Sequence, residues 1–273
     1  MKKRRADERL LEELNLESLA LARALIMEGR AFAGERKLKS PGEMVSDKET
    51  MRVRGALDPY VSRGAHKLKK ALEVFDLDVR GETCVDVGAS TGGFTDVLLR
   101  AGAEHIYAVD VGYNLLDYRL RSDARVTVME RVNARFLRPE DFPARPSFGA
   151  TDVSFISLKA VLPAALSVLD GPRRRFVALV KPQFEAPRED VGEKGVVRDG
   201  RVHQRVLEEI IAFVPTLGWQ CAGLDFSPIR GPEGNIEFLL YIVPAGEGVQ
   251  PLHEYAISDT IRRAYDKFIK MSE

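Results

Sequence analysis

The 273-residue chain contains only two cysteines, Cys84 and Cys221. Two cysteines cannot provide the disulfide framework of a small secreted domain or a four-cysteine zinc cluster. One of them, Cys84, falls inside a predicted core strand, and the four histidines show no metal-ligand spacing. The composition therefore predicts a protein of the reducing cytoplasm that holds no metal.

Long apolar runs are also missing. No window approaches the roughly 18 apolar residues of a membrane span, and the longest candidate, residues 160–169, is short and contains a proline. The N-terminus begins with basic residues followed by acidic ones, without the apolar segment of a signal peptide. We therefore expect a cytoplasmic protein with no membrane partner.

The chain carries no net charge, but its charges are unevenly distributed. Residues 1–70 contain 17 basic and 11 acidic residues, a net charge of +6, and the remainder carries −6. A basic N-terminal part on an acidic body suggests contact with a polyanion such as RNA. A solvated face of internal ion pairs would give the same pattern, so charge alone leaves the two explanations open.

The most informative stretch is a glycine loop between a predicted strand and a predicted helix. The apolar run 83–87 is typical of a buried parallel strand, and the helical period begins at Phe94. Between them, glycines at 88, 92 and 93 allow sharp turns and close approach to a ligand. Free amide groups at the start of the helix would face that ligand. Strand, loop and helix together predict a cradle for a nucleotide cofactor.

Two common nucleotide loops do not match. A Walker loop ends in Gly-Lys-Ser/Thr, and this loop has no lysine. A dinucleotide fingerprint requires Gly-x-Gly-x-x-Gly, which is also absent. The pattern present, Asp86-x-Gly88-x-x-x-Gly92-Gly93, resembles motif I of class I S-adenosylmethionine methyltransferases. A ribose-binding acid should follow about 20 residues later, and Asp110 ends the next predicted strand.

The resemblance implies S-adenosylmethionine as the cofactor, whereas the alternative is a βαβ turn whose glycines serve packing alone. The cofactor-binding residues that it implies are Asp86, Gly88, Ala89, Ser90, Thr91, Gly92, Gly93, Phe94, Asp110, Val111, Asn133 and Asp152.

Strand and helix patterns alternate through the larger part of the chain. The predicted strands are 83–87, 105–109, 126–130, 148–153, 176–181, 220–226 and 236–243, with a helix at about 202–217 before the last two. This alternation predicts an α/β doubly wound, Rossmann-like fold. An antiparallel last strand in a seven-stranded sheet is the usual ending of class I methyltransferases.

Residues 1–55 have a different pattern, with two leucine-rich helical stripes followed by turn-rich segments. The stretch 22–30, with Lys39-Ser40-Pro41-Gly42 downstream, is similar to the S4 RNA-binding domain. It departs from that family at 31–34, where the usual Val-x-Val-Asn/Asp-Gly turn is missing. We therefore expect a small α+β S4-like RNA-binding domain at 1–55, a linker at 56–60 and a catalytic domain at 61–273. The expected RNA-binding residues are Arg4, Arg5, Arg23, Arg30, Arg36, Lys37, Lys39 and Arg63.

Charged residues fall where ligands bind in an open α/β sheet, beyond the carboxyl ends of the strands. Asp152 follows the fourth predicted strand, Lys181 ends the fifth, and Glu237 lies early in the last. Lys67 lies in the helix before the glycine loop. The four resemble the Lys-Asp-Lys-Glu tetrad of FtsJ/RrmJ-like ribose 2′-O-methyltransferases, although each alone is explained as well by a solvent-exposed strand end or a turn cap.

The whole architecture resembles the TlyA family, historically called haemolysins and understood as rRNA 2′-O-methyltransferases. That resemblance implies methylation of cytidine in ribosomal RNA, with ribosomal subunits as partners. Lys181 would either take the proton of the ribose 2′-hydroxyl or stay charged and stabilise the forming alkoxide. Asp152 would orient Lys181, and Glu237 would orient Lys67 or the ribose.

Other functions remain as alternatives. A non-catalytic RNA-binding or ribosome assembly factor would use the same body only to grip RNA, and a membrane-lytic protein would fit the family's older name. Base amino-group methylation is disfavoured because Asp152-Val153-Ser154-Phe155 lacks the paired prolines of that motif. Cytosine C5 methylation needs a cysteine nucleophile, and neither cysteine is well placed. We expect a monomer, because one chain supplies the residues for all the predicted roles.

Overall fold

The computed structural model describes residues 3–16, 18–55, 59–246, 250 and 252–269. Its contacts divide the chain into two compact units, Met1–Pro59 and Tyr60–Glu273, called unit 1 and unit 2 below. Three residues of the predicted linker 56–60, residues 56–58, lie outside the described part of the chain. The assignment of residues 1–55 as an S4-like domain stays a prediction.

The described residues of unit 1 form two short helices and five short strands. They are β1 (Lys3–Arg5), α1 (Ala6–Glu13), α2 (Leu19–Met27), β2 (Ala31–Ala33), β3 (Arg36–Lys37), β4 (Met44–Ser46) and β5 (Met51–Val53). Strands β1 and β4 pair antiparallel, and β2 lies antiparallel between β3 and β5. The side chain of Ser18 caps α2 by accepting a hydrogen bond from Leu21 N at 3.1 Å. Leu10, Leu25 and Met51 are buried in the small core.

Unit 1 also buries a carboxylate. Asp7 is 0% exposed and lies between two half-exposed arginines, Arg5 (2.8 Å) and Arg23 (2.9 Å). The hydrogen bond from Arg5 contributes most to lowering the pKa of Asp7, and the one from Arg23 adds to it. Burial alone would raise this pKa, but the two arginines outweigh it and the pKa falls to about 2. The guanidinium groups thus compensate the buried charge and tie β1 and α2 to the start of α1.

Unit 2 alternates strands and helices along the chain. Its elements are α3 (Ala65–Val74), β6 (Thr83–Val87), α4 (Gly93–Arg100), β7 (His105–Asp110), α5 (Tyr118–Arg121), β8 (Val126–Glu130), β9 (Phe148–Thr151), α6 (Leu158–Ser167), β10 (Arg175–Val180), α7 (Pro182–Glu185), α8 (Gly200–Phe213), β11 (Trp219–Phe226), β12 (Phe238–Pro244) and α9 (Ala256–Ile269). Short 3₁₀ turns lie between several of them.

The strands of unit 2 form one sheet in the order β11-β12-β10-β9-β6-β7-β8. Strand β12 is antiparallel to both of its neighbours, and the other ladders of the sheet are parallel. Buried apolar side chains cover both faces of the sheet. The predicted doubly wound fold with an antiparallel last strand is therefore confirmed, and the carboxyl ends of the parallel strands meet at one edge.

Several boundaries differ from the predicted ones in a way that matters for the site. Strand β9 ends at Thr151 and β10 at Val180, so Asp152 and Lys181 lie just beyond the strands. Strand β12 begins at Phe238, so the prediction that Glu237 lies within the last strand was wrong. The helix expected at 202–217 is α8 up to Phe213 and then a 3₁₀ turn, Val214–Leu217, where Pro215 lacks the amide hydrogen that an α-helix would use.

Candidate active site

Four charged side chains from distant parts of unit 2 meet at the carboxyl edge of the sheet. Lys67 of α3 places Nζ 3.0 Å from Asp152 Oδ2 and 2.8 Å from Glu237 Oε2. Lys181 Nζ lies 2.6 Å from Asp152 Oδ1. Asp152 therefore bridges the two lysines, and the four residues, called the tetrad below, form one connected ionic network.

The tetrad is largely withdrawn from water. Both lysines are 7% exposed and Glu237 is 1% exposed, and the two positive and two negative charges cancel. Burial opposes the charge on Lys67, but Asp152 and Glu237 outweigh it and raise the pKa of Lys67. Burial likewise opposes the charge on Asp152, and the two lysines outweigh it and lower the pKa of Asp152. Each charge is thus retained by its neighbours rather than by solvent.

Sequence reasoning missed one member of this network, Ser154. Lys181 Nζ donates a hydrogen bond to Ser154 Oγ at 2.7 Å, in addition to its ion pair with Asp152 Oδ1. An ammonium group has three hydrogens, so these two contacts leave one for another acceptor. The only signal in the sequence was that Ser154 follows Asp152 by two residues at the end of a predicted strand.

Two neighbouring cavities open at the same edge and share Gly88, Ser90, Asp152 and Ser154. The smaller, of about 230 Å³, is lined by Ser62, Gly64, Lys67, Asp86, Gly88, Ala89, Ser90, Thr91, Gly93, Phe94, Asp152, Ser154, Lys181, Pro232 and Glu237. The larger, of about 450 Å³, is lined by Gly88, Ser90, Val109, Asp110, Val111, Leu115, Val132, Asn133, Ala134, Arg135, Asp152, Val153, Ser154, Phe155, Ile156 and Val161. The tetrad borders the smaller cavity, and the predicted ribose-binding acid borders the larger one.

Close approach requires two of the loop glycines. Gly88 has φ +87°, and a Cβ atom there would lie 3.2 Å from the Asp152 carbonyl oxygen. A Cβ atom at Gly93 would lie 2.8 Å from Ala65 N. Gly92, also predicted to bind cofactor, instead faces the side chains of Leu116 and Leu120 and lines neither cavity.

Asp86 provides the clearest test of whether the loop fits a charged ligand. It is 0% exposed, and its Oδ2 accepts hydrogen bonds from Thr95 N (2.9 Å) and Thr95 Oγ1 (2.7 Å). Its Oδ1 has no hydrogen-bond partner among the described residues. Burial raises the pKa of Asp86 to about 7, with smaller contributions from Asp152 and Asp110. An unsatisfied buried carboxylate oxygen lining a cavity fits a cationic donor.

The other predicted cofactor residues are held by local hydrogen bonds. Asp110 accepts from Ser90 N (2.8 Å) and Gly112 N (2.7 Å), which fixes the turns on either side of the larger cavity. Asn133 Oδ1 accepts from Arg135 N at 3.1 Å and caps the following 3₁₀ turn. Since a carboxylate oxygen accepts more than one hydrogen bond, Asp110 keeps capacity for a ligand hydroxyl.

An exposed aromatic residue at the rim of the larger cavity was also missed. Phe155 is 91% exposed and has φ +62°, a strained conformation for a bulky side chain. Its ring centroid lies 5.0 Å from that of Phe184. Glu185, which follows Phe184, accepts a hydrogen bond from Leu158 N at 2.7 Å and so ties the two loops together. The sequence contains no signal for the exposure of Phe155, because its hydrophobic character alone predicts a buried side chain.

The predicted RNA-binding residues fall into two groups. Many of the arginines of unit 1 make internal ion pairs: Arg4 with Glu12, Arg5 and Arg23 with Asp7, Arg30 with Glu28, and Arg36 with Glu43 and Glu49. Lys37 and Lys39 are exposed and, within the described residues, make no ion pair. Arg63 is exposed next to Ser62, which lines the smaller cavity. Exposed ion pairs are worth little, so those of Arg4, Arg30 and Arg36 do not prevent these arginines from turning to a phosphate. Arg5 and Arg23 instead compensate the buried charge of Asp7.

The cysteines and the buried histidine show no sign of catalysis. Burial raises the pKa of both thiols, that of Cys221 to about 12, so both stay protonated at neutral pH. Burial lowers the pKa of His203 to about 4. In the described parts of the chain, no cluster of three or more His, Cys, Asp or Glu could hold a metal ion. No described helix is long and apolar enough to cross a membrane.

Comparison with known proteins gives a consistent result. The profile of FtsJ-like methyltransferases matches residues 60–243, which is most of unit 2. The chain belongs to the FtsJ-like methyltransferase family. The confirmed fold and this family membership agree with the tetrad geometry, although the roles of the individual site residues stay predictions.

The relatives extend the similarity over nearly the whole chain. A Bacillus subtilis (strain 168) protein provisionally named rRNA methyltransferase YqxC is 47% identical over 97% of this chain and 95% of its own length. The 16S/23S rRNA (cytidine-2′-O)-methyltransferase TlyA of Mycobacterium tuberculosis (strain ATCC 25618 / H37Rv) is 40% identical over 95% of this chain and 96% of its own length. A solved Streptococcus thermophilus structure, described provisionally as a hemolysin, is 42% identical, covers 100% of this chain and 99% of its own, and has a TM-score of 0.79. The resemblance to TlyA proteins is confirmed.

Proposed function

We propose that this FtsJ-like methyltransferase uses S-adenosylmethionine to methylate the ribose 2′-hydroxyl of a cytidine in ribosomal RNA. The observation that carries the proposal is the tetrad beside two neighbouring cavities that share part of their lining. The smaller cavity exposes both lysines to an incoming hydroxyl, and the larger presents Asp110 and Asn133 to a nucleoside. The specific substrate is supported by the relative named as a 16S/23S rRNA (cytidine-2′-O)-methyltransferase.

The residues around the glycine loop suit the cofactor. S-adenosylmethionine, when bound, supplies an electrophilic methyl group on a positively charged sulfur. Asp86 Oδ1, unsatisfied within the described structure, would hold a cationic group of the cofactor, and Asp110 would accept from the ribose hydroxyls. Gly88 and Gly93 line the smaller cavity without side chains, and a Cβ atom at either position would collide with Asp152 or Ala65.

The tetrad would prepare the 2′-hydroxyl for attack. Lys181 Nζ pairs with Asp152 and donates to Ser154, and the ammonium group keeps a hydrogen that would serve the acceptor oxygen. Lys181 then acts in one of two ways. As a neutral amine it takes the hydroxyl proton, and as a cation it stabilises the negative charge that develops on the oxygen. Lys67 and Glu237 keep Asp152 oriented in either case.

Alignment of the reacting atoms would supply much of the rate enhancement. The tetrad residues come from three loops and one helix, yet each is fixed by at least one ionic contact. Unit 1 would deliver the RNA as an S4-like domain, with Lys37, Lys39 and the re-orientable arginines on phosphates. We propose that the protein works as a cytoplasmic monomer.

The test is transfer of labelled methyl from S-adenosylmethionine to purified small and large ribosomal subunits, followed by digestion to nucleosides. We expect label on the 2′-oxygen of cytidine, and none with Lys181→Ala. Lys159→Ala is the matched control, because Lys159 is half-exposed, is paired with Glu209 and lines neither cavity. Label on a base would contradict the proposal. Cofactor binding without transfer to either subunit would favour an assembly factor, and release of dye from liposomes would favour a lytic protein.

A further inference from the structure

Four basic side chains from three separate parts of unit 2 converge on two phenylalanine rings, Phe226 and Phe268. They are Lys70 of α3, Arg230 of the loop between β11 and β12, and Arg263 and Lys267 of α9, called the α9 patch below. Lys70 Nζ lies 3.6 Å from the centroid of the Phe226 ring, and Lys267 Nζ lies 5.8 Å from it. Arg230 Cζ lies 5.1 Å from the Phe268 centroid.

The positive charge of the α9 patch exceeds the negative charge that balances it. Asp225 is the carboxylate within the patch, at 2.9 Å from Lys70 Nζ and 3.1 Å from Arg263 Nη1. Lys267 is exposed and makes no ion pair in the part of the chain that the structure describes. Burial lowers the pKa of Lys70, and the charges of Lys267 and Arg263 add to this effect although Asp225 opposes it. Among the described contacts of these four cations, Asp225 is the one carboxylate paired with them.

The patch lies beside the tetrad. Lys70 is one helical turn after Lys67 on α3, so the two side chains leave the same face of the helix about 5–6 Å apart. Phe226 ends β11 next to the first residue of β12, Phe238, and Ser227 N donates to Glu237 O at 2.8 Å. The excess charge therefore sits at the carboxyl edge of the sheet, where the proposed substrate must enter.

We propose that the α9 patch binds the backbone phosphates of the substrate RNA next to the nucleotide that enters the site, a role that rests on the proposed function. The cations of the α9 patch repel one another because they carry the same charge. Gathering them at a single edge therefore costs free energy. A polyanion supplies the missing negative charge. Arg and Lys contacts to phosphates position RNA without reading its sequence, which is what a second anchor near the acceptor ribose requires.

The main alternative is that the cations hold α9 to the body through their contacts with the rings. The two roles predict opposite effects of one substitution. Lys267→Gln removes a positive charge that lies more than 5.5 Å from the centroids of both phenylalanine rings. The substitution therefore loses little packing and lowers the repulsion among the cations of the patch. The thermal midpoint should stay the same or rise if the patch serves RNA, and should fall if Lys267 docks the helix.

The experiment measures binding of purified ribosomal subunits to the full-length protein over a range of KCl concentrations. For Lys267→Gln we expect about 2- to 5-fold weaker binding at physiological salt and a log–log salt slope reduced by about 1. Affinity for S-adenosylmethionine should not change. Lys267→Arg should restore binding. Arg262→Gln is the control, because Arg262 is the neighbouring α9 residue and pairs with Asp259 at 3.0 Å.

The outcomes separate this inference from the proposed function. Failure of the wild-type protein to bind either subunit would refute the proposed function itself. Wild-type binding with an unchanged slope for Lys267→Gln would overturn the α9 patch alone. A lower thermal midpoint together with unchanged binding would show that the cations serve to dock α9.

Discussion

Each unit of the protein completely buries one aspartate, and the two aspartates are treated in opposite ways. Asp7 in unit 1 lies between Arg5 and Arg23, whose hydrogen bonds lower its pKa to about 2. Asp86 in unit 2 has no cation beside it, one oxygen without a partner among the described residues, and a pKa raised by burial to about 7. Exclusion from solvent thus coexists with two paired cations at Asp7, and with hydrogen bonds from Thr95 to a single oxygen at Asp86.

The difference separates architecture from function. A buried charge that the fold satisfies contributes to the fold, and one left unsatisfied beside a cavity costs stability that a ligand can recover. The same distinction applies inside the tetrad. Lys67 is shared by two carboxylates, whereas Lys181 contacts one carboxylate and one hydroxyl and keeps a position open.

The largest expected effect distinguishes these two lysines. Lys181→Ala should lower methyl transfer by roughly 10³-fold and cost less stability than Lys67→Ala, because Asp152 keeps Lys67. Lys67→Ala should abolish transfer equally and also destabilise unit 2 by about 3 kcal/mol, because Asp152 and Glu237 then face each other without their shared cation. Denaturant unfolding followed by the fluorescence of Trp219, the single tryptophan, measures stability in unit 2. Equal stability of the two variants would contradict the larger structural role that we assign to Lys67.

The next effect is a pH dependence of opposite sign in the two units. The folded-state pKa of Asp86 is raised, so its favourable contribution is complete below pH 4 and is lost as the pH rises through about 7. Asp86→Asn should therefore gain stability relative to wild type between pH 5 and 8, by about 2–3 kcal/mol. Trp219 fluorescence again measures the change. A difference that stays constant over this range would show that Asp86 already has a partner.

The folded-state pKa of Asp7 is lowered, so its contribution is present above about pH 4 and is lost as the pH falls through about 2. Asp7→Asn should therefore destabilise unit 1 at pH 7 by about 2 kcal/mol. Because unit 1 contains no tryptophan or tyrosine, hydrogen exchange of peptides covering residues 6–27 is the suitable measurement. Unchanged protection at pH 7 would contradict the structural role given to Asp7.

The smallest effect concerns Ser154. Ser154→Ala should lower the rate constant for transfer about tenfold, because Lys181 loses one of the contacts that direct its free position. Ser154→Thr should restore much of the rate, and the pH profile of Ser154→Ala should shift. Ser157→Ala is the matched control: Ser157 lies on the same loop but caps α6 by accepting from Lys159 N at 3.1 Å. An equal loss of rate in Ser154→Ala and Ser157→Ala would show that Ser154 only stabilises the loop.

The sequence predicted those features that depend on regular structure. Asp152 and Lys181 could be expected together because parallel strands end at one edge of a sheet. The loop glycines and Asp110 had a recognisable spacing. Glu237 was placed inside the last strand, since hydrophobic alternation does not mark where pairing begins.

Features that depend on irregular backbone could not be predicted. Ser154 contacts Lys181 from the loop after β9, and the exposed Phe155 adopts φ +62°; composition reveals neither feature. The α9 patch joins Lys70 to Lys267 across nearly 200 residues, so no local pattern indicates it. The internal pairing of the arginines of unit 1 was only one of two explanations for their charge.

The most direct test of the account is a calorimetric titration of S-adenosylmethionine into the wild-type protein, Asp86→Asn and Asp7→Asn. We expect binding by the wild-type protein, at least tenfold weaker binding by Asp86→Asn, and no change for Asp7→Asn. Both variants replace a fully buried carboxylate by its amide, so they differ only in whether the charge is already compensated. Equal affinities for wild type and Asp86→Asn would contradict the claim that the unsatisfied carboxylate marks the cofactor site.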